Sequence, residues 1–297
     1  MTSPPLAGIL VALVTPFTED GRALDAGILR AQIDRLVRAG VHGLVPGGST
    51  GEFTALSPAE RRLLTEECVK AADGRVPVVA GTGALTTAEA VALSRHAAEV
   101  GADALMVVPP FYDAPSLAQV KAHLTAIHDA AHLPIVYYNI PSASGMRLTV
   151  GQLAELGDLP GVDYLKDTSG DAVALSELLV AHTARITALN GWDTLTFFGL
   201  ASGATGSVWG ATNVIPQLSM QLWDALAVRG DLAEGRALWA RIWPVCHFLE
   251  SHNYAAAVKT GLELIGHPAG PVRAPFTVLD AEARAEFTQL LRAAGAL

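Results

Sequence analysis

Cysteine and lysine are scarce in this chain, whose 297 residues include only two cysteines and four lysines. Cys68 and Cys246 are too few and too far apart in the sequence to indicate a disulfide framework or a cysteine metal site. We therefore predict two free thiols, as expected for a protein of the reducing cytoplasm.

The chain also lacks clusters of Lys and Arg and long uncharged apolar runs. Its net charge is −9 at pH 7, which disfavours binding to nucleic acid or to an anionic membrane. No uncharged apolar stretch reaches the roughly 18 residues that a membrane span needs, and residues 1–5 do not have the pattern of a signal peptide. We therefore expect a cytoplasmic protein that binds neither nucleic acid nor membrane.

The chain instead repeats a short apolar run followed by a segment of helical periodicity. The first run, residues 8–15, is continuously apolar, which is typical of a strand buried on both faces of a parallel sheet. Ser57-Pro58-Ala59-Glu60 is a capping box that predicts the start of a helix. Eight such units at a spacing of roughly 25 residues predict an α/β fold, the (β/α)8 or TIM barrel. A doubly wound sheet is the alternative, but no Gly-x-Gly-x-x-Gly turn follows the first run.

The last part of the chain has helical periodicity only. We predict that residues 1–212 form the barrel and that residues 213–297 form an all-helical C-terminal extension. No low-complexity linker separates the two, so we expect the extension to pack on the barrel. Pro244 is expected to kink or break a helix of the extension.

Polar groups occur at the carboxyl ends of the predicted strands, where the active site of such a barrel lies. Lys166 closes an apolar run, and burial of an amine favours its uncharged, nucleophilic form. The turn at residues 47–52 offers glycines, hydroxyls and backbone N–H groups that suit a carboxylate or phosphate. Tyr138 ends another strand and offers a phenol for proton transfer.

Each of these features also has an ordinary structural explanation: a solvated lysine, a helix-capping loop and an aromatic plug. Their combination on neighbouring strand ends is more specific than any one of them. It predicts a site for a 2-oxo acid, in which the lysine condenses with the ketone, the phenol moves protons and the turn holds the carboxylate.

Three motifs resemble those of a known family: Gly48-Ser49-Thr50-Gly51-Glu52, Tyr138-Asn139-Ile140-Pro141 and Lys166-Asp167-Thr168. Through them the chain resembles the dihydrodipicolinate synthase/N-acetylneuraminate lyase family, the pyruvate-dependent class I aldolases. The resemblance covers nearly the whole chain, including the helical tail.

The resemblance implies that Lys166 forms the Schiff base and that Tyr138 relays protons. Thr50 or Ser49 would link Tyr138 to a further tyrosine, matched by Tyr112, which in family tetramers can reach into a neighbouring subunit's site. The covalent imine would make a metal or other cofactor unnecessary. A homotetramer is the usual assembly in the family.

The same resemblance implies a set of substrate-binding residues. Ser49 and Thr50, with Gly48 beside them, would bind the pyruvate carboxylate. Val208 matches a position that lines the pyruvate pocket, and Asp193 matches an acid that binds sugar hydroxyls in the N-acetylneuraminate lyases.

One departure from the family pattern bears on the aldehyde partner. In the dihydrodipicolinate synthases an arginine after the strand-five tyrosine grips the carboxylate of aspartate semialdehyde, and here Ala143 stands at that position. Alanine offers no hydrogen bond, so binding of that substrate should be weaker. Arg147 is nearby in the sequence.

Other departures separate the chain from the N-acetylneuraminate lyases. Residues 144–149 and Asp193 resemble that branch, but Thr194 replaces a glutamate, and Trp209 and Gly210 replace a glycine and a serine. We expect Trp209 to shrink the pocket and to exclude a nine-carbon sugar acid. The preferred substrate is therefore a shorter 2-keto-3-deoxy sugar acid or a similar 4-hydroxy-2-oxo acid.

Several alternatives remain open from the sequence. The enzyme could be a 4-hydroxy-tetrahydrodipicolinate synthase, an N-acetylneuraminate lyase or a dehydratase that uses the same imine. A metal-dependent class II aldolase would need clustered His, Asp and Glu at strand ends, whereas most histidines lie in helical segments. A non-catalytic pyruvate-binding protein would not need both Lys166 and Tyr138.

Overall fold

Eight parallel strands form the centre of the molecule in the computed structural model, which describes residues 5–297. Residues 1–4, part of the stretch considered for a signal peptide, lie outside the described residues. The strands are β1 (Gly8–Ala12), β2 (Gly43–Val45), β3 (Val79–Gly81), β4 (Ala104–Val107), β5 (Ile135–Asn139), β6 (Val162–Asp167), β7 (Thr187–Asn190) and β8 (Gly206–Trp209).

The strand order β2-β1-β8-β7-β6-β5-β4-β3 curls the sheet into a nearly closed barrel. A parallel bridge between Leu44 and Val78 joins the two end strands, β2 and β3. The predicted (β/α)8 barrel is therefore confirmed.

Helices follow the strands and cover the outside of the barrel. They are α1 (Ala26–Arg38), α2 (Pro58–Ala72), α3 (Thr87–Glu99), α4 (Leu117–Ala131), α5 (Pro141–Ser144), α6 (Val150–Leu156), α7 (Ala172–Ala181) and α8 (Thr196–Ala201). The capping box of α2 forms as predicted, because the Ser57 side chain accepts the Glu60 N–H and Glu60 accepts the Ser57 N–H. The four-residue helix α5 was not predicted, since one turn is too short for a periodic pattern.

Side chains alternate between the inside and the outside of the barrel along each strand. On β8, Val208 lies in the inner core with Leu10 and Tyr138, whereas Trp209 lies in the outer core with the C-terminal helices. The ring centres of Trp209 and Trp239 are 6.5 Å apart. Through Trp209, the last strand thus packs against the C-terminal helices.

The C-terminal part is helical, with α9 (Pro216–Trp223), α10 (Leu232–Glu250), α11 (Tyr254–Leu264) and α12 (Ala281–Ala294). A π-helical turn, Asp224–Val228, follows α9. Pro244 lies inside α10, which continues to Glu250, so it does not break the helix; the kink that was the other expectation stays a prediction. Residues of this part share one buried core with Ile9 and Trp209 of the barrel. The domain boundary at residues 212/213 stays a prediction.

Within residues 5–297, no helix is both long and apolar enough to cross a membrane.

Trp209 gives a test of this shared core. Replacing the fully buried Trp209 by alanine should lower the free energy of unfolding by about 3–5 kcal/mol, because it leaves a cavity between the barrel and the C-terminal helices. Trp243, which is 42% exposed on α10, is the matched control. Trp243→Ala should change the free energy of unfolding by about 0.5 kcal/mol. Denaturant titration measures both; equal losses would contradict the packing described.

Candidate active site

A cavity of about 240 Å³ opens at the carboxyl ends of the strands. It brings together residues from most of the barrel and from two C-terminal helices. Its walls are Ala12, Ser49, Thr50, Tyr138, Ile140, Ser142, Lys166, Thr168, Gly191, Trp192, Asp193, Val208, Gly210, Glu250 and Tyr254. Of the predicted site residues, Gly48 and Tyr112 are not among them.

Lys166 and Tyr138 face each other at the base of the cavity. They are direct register partners on the neighbouring parallel strands β6 and β5, so their side chains lie on the same, inner face. Lys166 is 5% exposed, and its Nζ lies 4.0 Å from the centre of the Tyr138 ring. The amine is thus held inside the barrel, within reach of a small molecule that also contacts the phenol.

Gly191 leaves the space that the lysine stem occupies. A Cβ at Gly191 would lie 2.7 Å from Cε of Lys166 and 2.4 Å from Oγ1 of Thr168. Both distances are shorter than van der Waals contact, so any larger residue at the end of β7 would displace the amine.

Asp167, the residue after Lys166, fixes the ends of β5 and β6. Its side chain accepts hydrogen bonds from Asn139 Nδ2 at 2.7 Å and from Ser169 Oγ at 2.9 Å. Burial raises the pKa of Asp167, and these two bonds act in the opposite direction. The position of Lys166 is therefore supported by a hydrogen-bonded carboxyl group immediately beside it.

Ser49 and Thr50 reach the cavity from the turn after β2, residues 47–52, which we call the cradle turn. Within it the Gly51 N–H donates to the Gly48 carbonyl and the Glu52 N–H to the Ser49 carbonyl, each at 3.0 Å. Gly48 supports the turn rather than lining the cavity. A Cβ at Gly48 would lie 2.9 Å from Met106 Cε.

The far wall of the cavity carries two acidic groups. Asp193 Oδ2 accepts hydrogen bonds from the Tyr254 hydroxyl and, at 3.1 Å, from the Ala211 N–H. Glu250 accepts the Thr194 N–H at 3.0 Å and the Thr194 hydroxyl at 2.7 Å. Among the described residues that line the cavity, Lys166 is the one Lys or Arg.

Burial dominates the electrostatics of this acidic wall. Burial, opposed by the hydrogen bond from Tyr254 and helped by the nearby Glu250, raises the pKa of Asp193 to about 7. Burial also raises the pKa of Glu250, which the bonds from Thr194 oppose. Near neutral pH, Asp193 can therefore accept or donate a hydrogen bond.

Glu250 and Tyr254 were missed in the sequence analysis because they come from α10 and α11, far along the chain from the barrel motifs. The one local signal is Gly210. A Cβ there would lie 2.3 Å from the Tyr254 hydroxyl, so the glycine makes room for that group.

Trp209 does not shrink the cavity, and that expectation is wrong. Because side chains alternate along β8, Val208 faces the cavity and Trp209 points out of the barrel, fully buried in the outer core. The space above Gly210 is instead filled by Tyr254.

Three further residues lie away from the cavity. Ala143 is exposed on α5, and Arg147 lines a separate groove beside Asp171. Tyr112 is 88% exposed on the loop after β4, so its predicted role in the proton relay stays a prediction that needs a neighbouring subunit.

The two cysteines do not line the cavity. Cys68 and Cys246 are free and buried. Across residues 5–297, no group of three or more His, Cys, Asp or Glu is placed to hold a metal ion.

Comparison with known sequences gives a consistent picture. The model of the dihydrodipicolinate synthetase family matches residues 5–294. The 4-hydroxy-tetrahydrodipicolinate synthase of Methanoculleus marisnigri is 38% identical over 94% of this chain and 96% of its own length. The enzyme of the same name from Rhodospirillum centenum is 40% identical over 90% of this chain and 91% of its own.

Solved structures agree with the fold over the same length. The chloride-inhibited dihydrodipicolinate synthase of Acinetobacter baumannii, complexed with pyruvate, has a TM-score of 0.94 at 29% identity and covers 99% of this chain and 100% of its own. A prophage protein of E. coli K12 from the dihydrodipicolinic acid synthase family, also complexed with pyruvate, has a TM-score of 0.93 at 30% identity, covering 98% and 99%. The protein therefore belongs to the dihydrodipicolinate synthetase family, whose members are pyruvate-dependent enzymes of the class I aldolase type that use a lysine Schiff base and no external cofactor.

Proposed function

We propose that this enzyme forms or cleaves a 4-hydroxy-2-oxo acid, with Lys166 as the Schiff-base lysine and Tyr138 as the proton-relay residue. The observation that carries the proposal is the buried amine of Lys166, 4.0 Å from the Tyr138 ring centre, in a cavity that Ser49 and Thr50 also line. A keto acid of the size of pyruvate can contact all four groups at once. Solved relatives complexed with pyruvate support the same assignment.

The proposed chemistry follows from these positions. The uncharged Lys166 amine attacks the ketone carbon, and loss of water gives an imine that is protonated to an iminium. Tyr138 takes the proton of the C4 hydroxyl as the C3–C4 bond breaks, and the bonding electrons flow into the iminium to give an enamine. The aldehyde leaves, C3 is protonated, and hydrolysis releases pyruvate and the free lysine. Condensation runs through the same steps in reverse.

The carboxylate of the keto acid is assigned to the cradle turn. Ser49 and Thr50 supply hydroxyl donors there, with Gly48 beside them, and glycines let the backbone approach an anion closely. Val208 lines the pyruvate end of the cavity. This anchoring places the ketone carbon between the amine and the phenol.

The aldehyde partner is proposed to carry hydroxyl groups, so that the full substrate is a 2-keto-3-deoxy sugar acid or a similar compound. Asp193 and Glu250 line the far wall and offer acceptors for hydroxyls. Thr194 stands where the lyase branch has a glutamate, but it donates two hydrogen bonds to Glu250, which brings a carboxyl group to the same region.

A second candidate is 4-hydroxy-tetrahydrodipicolinate synthase, the name of the curated relatives at 34–40% identity. That reaction condenses pyruvate with aspartate semialdehyde, whose carboxylate needs a cationic partner. In this chain Ala143 is exposed at the position of the family arginine, and Arg147 lines a different groove. The names of the curated relatives favour this second reaction, whereas the acidic wall of the cavity favours a hydroxylated aldehyde.

We further propose that the enzyme is a cytoplasmic homotetramer. Tyr112 is 88% exposed in the single chain, as expected for a residue that completes the relay of a neighbouring subunit. Thr50 or Ser49 would connect it to Tyr138.

The Schiff base is tested by borohydride reduction in the presence of pyruvate. A pyruvate-derived mass should be added at Lys166, because borohydride reduces the imine to a stable amine. Lys166→Ala should lose both the adduct and turnover, whereas Lys70→Ala, at an exposed position on α2, should keep both. Peptide mass spectrometry locates the adduct; labelling at any other lysine would reject the assignment.

Tyr138→Phe should slow turnover by ~10²–10⁴-fold, because proton transfer at the C4 hydroxyl loses its relay. The matched control is Tyr137→Phe, since Tyr137 is the preceding residue of β5 and faces the outer core. Steady-state kcat measures the loss, with borohydride trapping to show that the imine still forms. A kcat within a factor of about three of wild type would remove Tyr138 from the mechanism.

A substrate panel separates the two candidate functions. Pyruvate release from 2-keto-3-deoxy sugar acids should exceed condensation with aspartate semialdehyde by ~10–100-fold in kcat/KM, because a missing charge-assisted hydrogen bond is worth about 1.5–3 kcal/mol. Efficient cleavage of N-acetylneuraminate or faster use of aspartate semialdehyde would overturn the proposed preference. Pyruvate binding with no turnover of any compound would indicate a non-catalytic protein.

A further inference from the structure

Lys259, on α11, is buried although the mechanism does not use it. Its side chain is 1% exposed, and its Nζ lies 2.6 Å from Oε1 of Glu52, whose side chain is 7% exposed. The ammonium group also donates to the Pro271 carbonyl at 2.7 Å and lies 4.1 Å from the centre of the Phe17 ring. A fully enclosed ion pair therefore joins the C-terminal helices to the last residue of the cradle turn.

Burial of such a pair is not explained by stability alone. Removing two charges from water costs several kcal/mol per ion, and apolar replacements of buried ion pairs are often neutral or stabilising. The position of the pair in the molecule therefore says more about its role than its contribution to stability does.

Glu52 has a backbone conformation that its surroundings must hold in place. Its φ is +54° and its ψ is +36°, the left-handed region, which costs about 1–3 kcal/mol for a residue other than glycine. One carboxylate oxygen binds Lys259, and the other accepts the Arg273 N–H at 3.0 Å. Both oxygens are thus anchored to the C-terminal part of the chain.

Glu52 in turn is bonded to the backbone of the cradle turn, which carries the hydroxyl groups of Ser49 and Thr50. Its own N–H donates to the Ser49 carbonyl at 3.0 Å, and Thr50 lies between the two. Thr15 Oγ1 donates to the Gly51 carbonyl at 2.7 Å and holds the turn from the barrel side. A shift of Glu52 would therefore move Ser49 and Thr50 directly.

The N-terminal end of α11 reaches the acidic wall of the cavity. Tyr254, the first residue of α11, lines the cavity and donates to Asp193. One helix thus contacts the cradle turn through Lys259 and the acidic wall through Tyr254.

We propose that the Lys259–Glu52 ion pair is a positioning device that holds Ser49 and Thr50 in the geometry that binds the keto-acid carboxylate. The C-terminal extension is then part of the active site and not only a cover for the barrel. The inference rests on the proposed function of the cradle turn as the carboxylate site.

The test compares Lys259→Met and Glu52→Gln with wild type. Lys259→Met leaves Glu52 without its cation, and it should raise both the KM for pyruvate and the pyruvate concentration for half-maximal borohydride trapping by ~10–100-fold. The KM for the aldehyde should change less than about twofold, because Lys259 does not touch that wall. Glu52→Gln replaces one of the two accepting oxygens by an NH2 donor, which would face either the Lys259 ammonium or the Arg273 backbone N–H, so the pyruvate constants should again rise, by ~10-fold.

The matched control is Glu263→Gln, which removes an exposed ion pair with Arg284 from the same helix α11. It should leave the pyruvate constants unchanged. Thermal unfolding of all variants separates a loss of stability from a loss of positioning. Where Lys259→Met does not fold, a rise in the pyruvate constants of folded Glu52→Gln supports the inference, and unchanged constants overturn it.

Two outcomes would overturn the inference. The first is a lower melting temperature with wild-type pyruvate constants in the folded fraction, which would make the pair structural only. The second is an equal loss for pyruvate and aldehyde, which would indicate a general disturbance. Failure of the wild-type enzyme to be trapped by borohydride would instead reject the proposed function itself, so the two failures are distinguishable.

Discussion

The register between β5 and β6 is the constraint on which the site depends. Parallel pairing sets Tyr138 opposite Lys166, and strand alternation turns both side chains into the barrel, where the amine lies 4.0 Å from the ring centre. A shift of one residue would point Lys166 into the outer helices and bring Asp167 into the cavity. The bonds from Asn139 and Ser169 to Asp167 oppose such a shift. The pairing of β5 with β6 therefore determines which side chains face each other in the cavity.

The cavity is built from two sources with different physical characters. Its keto-acid side consists of strand ends and the cradle turn, which supply an amine, a phenol and hydroxyls. Its far side consists of Asp193 together with Glu250 and Tyr254 from the C-terminal helices, where burial raises both carboxyl pKa values. The buried Lys259–Glu52 pair connects the two sides through α11. If the proposed mechanism holds, the helical extension contributes to both the keto-acid side and the aldehyde side of the cavity.

Local patterns predicted the features that depend on local physics. The capping box predicted the start of α2, and an apolar strand ending in a lysine predicted the place of Lys166. Features that depend on long-range packing were not accessible in the same way. Tyr254 enters the cavity only because the C-terminal helices fold back over Gly210. Helix α10 continues through Pro244, with Ile242 and Val245 buried in the shared core. The prediction that Trp209 shrinks the cavity was wrong for a local reason. Side chains alternate along a strand, so Trp209 points away from the cavity that Val208 faces.

The charge distribution of the cavity explains why similarity to the curated relatives does not by itself decide the aldehyde. In the proposed mechanism both candidate reactions pass through the same intermediate, the enamine that joins Lys166 to pyruvate. A second carboxylate would then face Asp193 and Glu250, and negative charge on these two groups would repel it. Hydroxyl groups meet no such repulsion and find acceptors. In the proposed mechanism the choice between the two aldehydes therefore depends on the residues of the far wall.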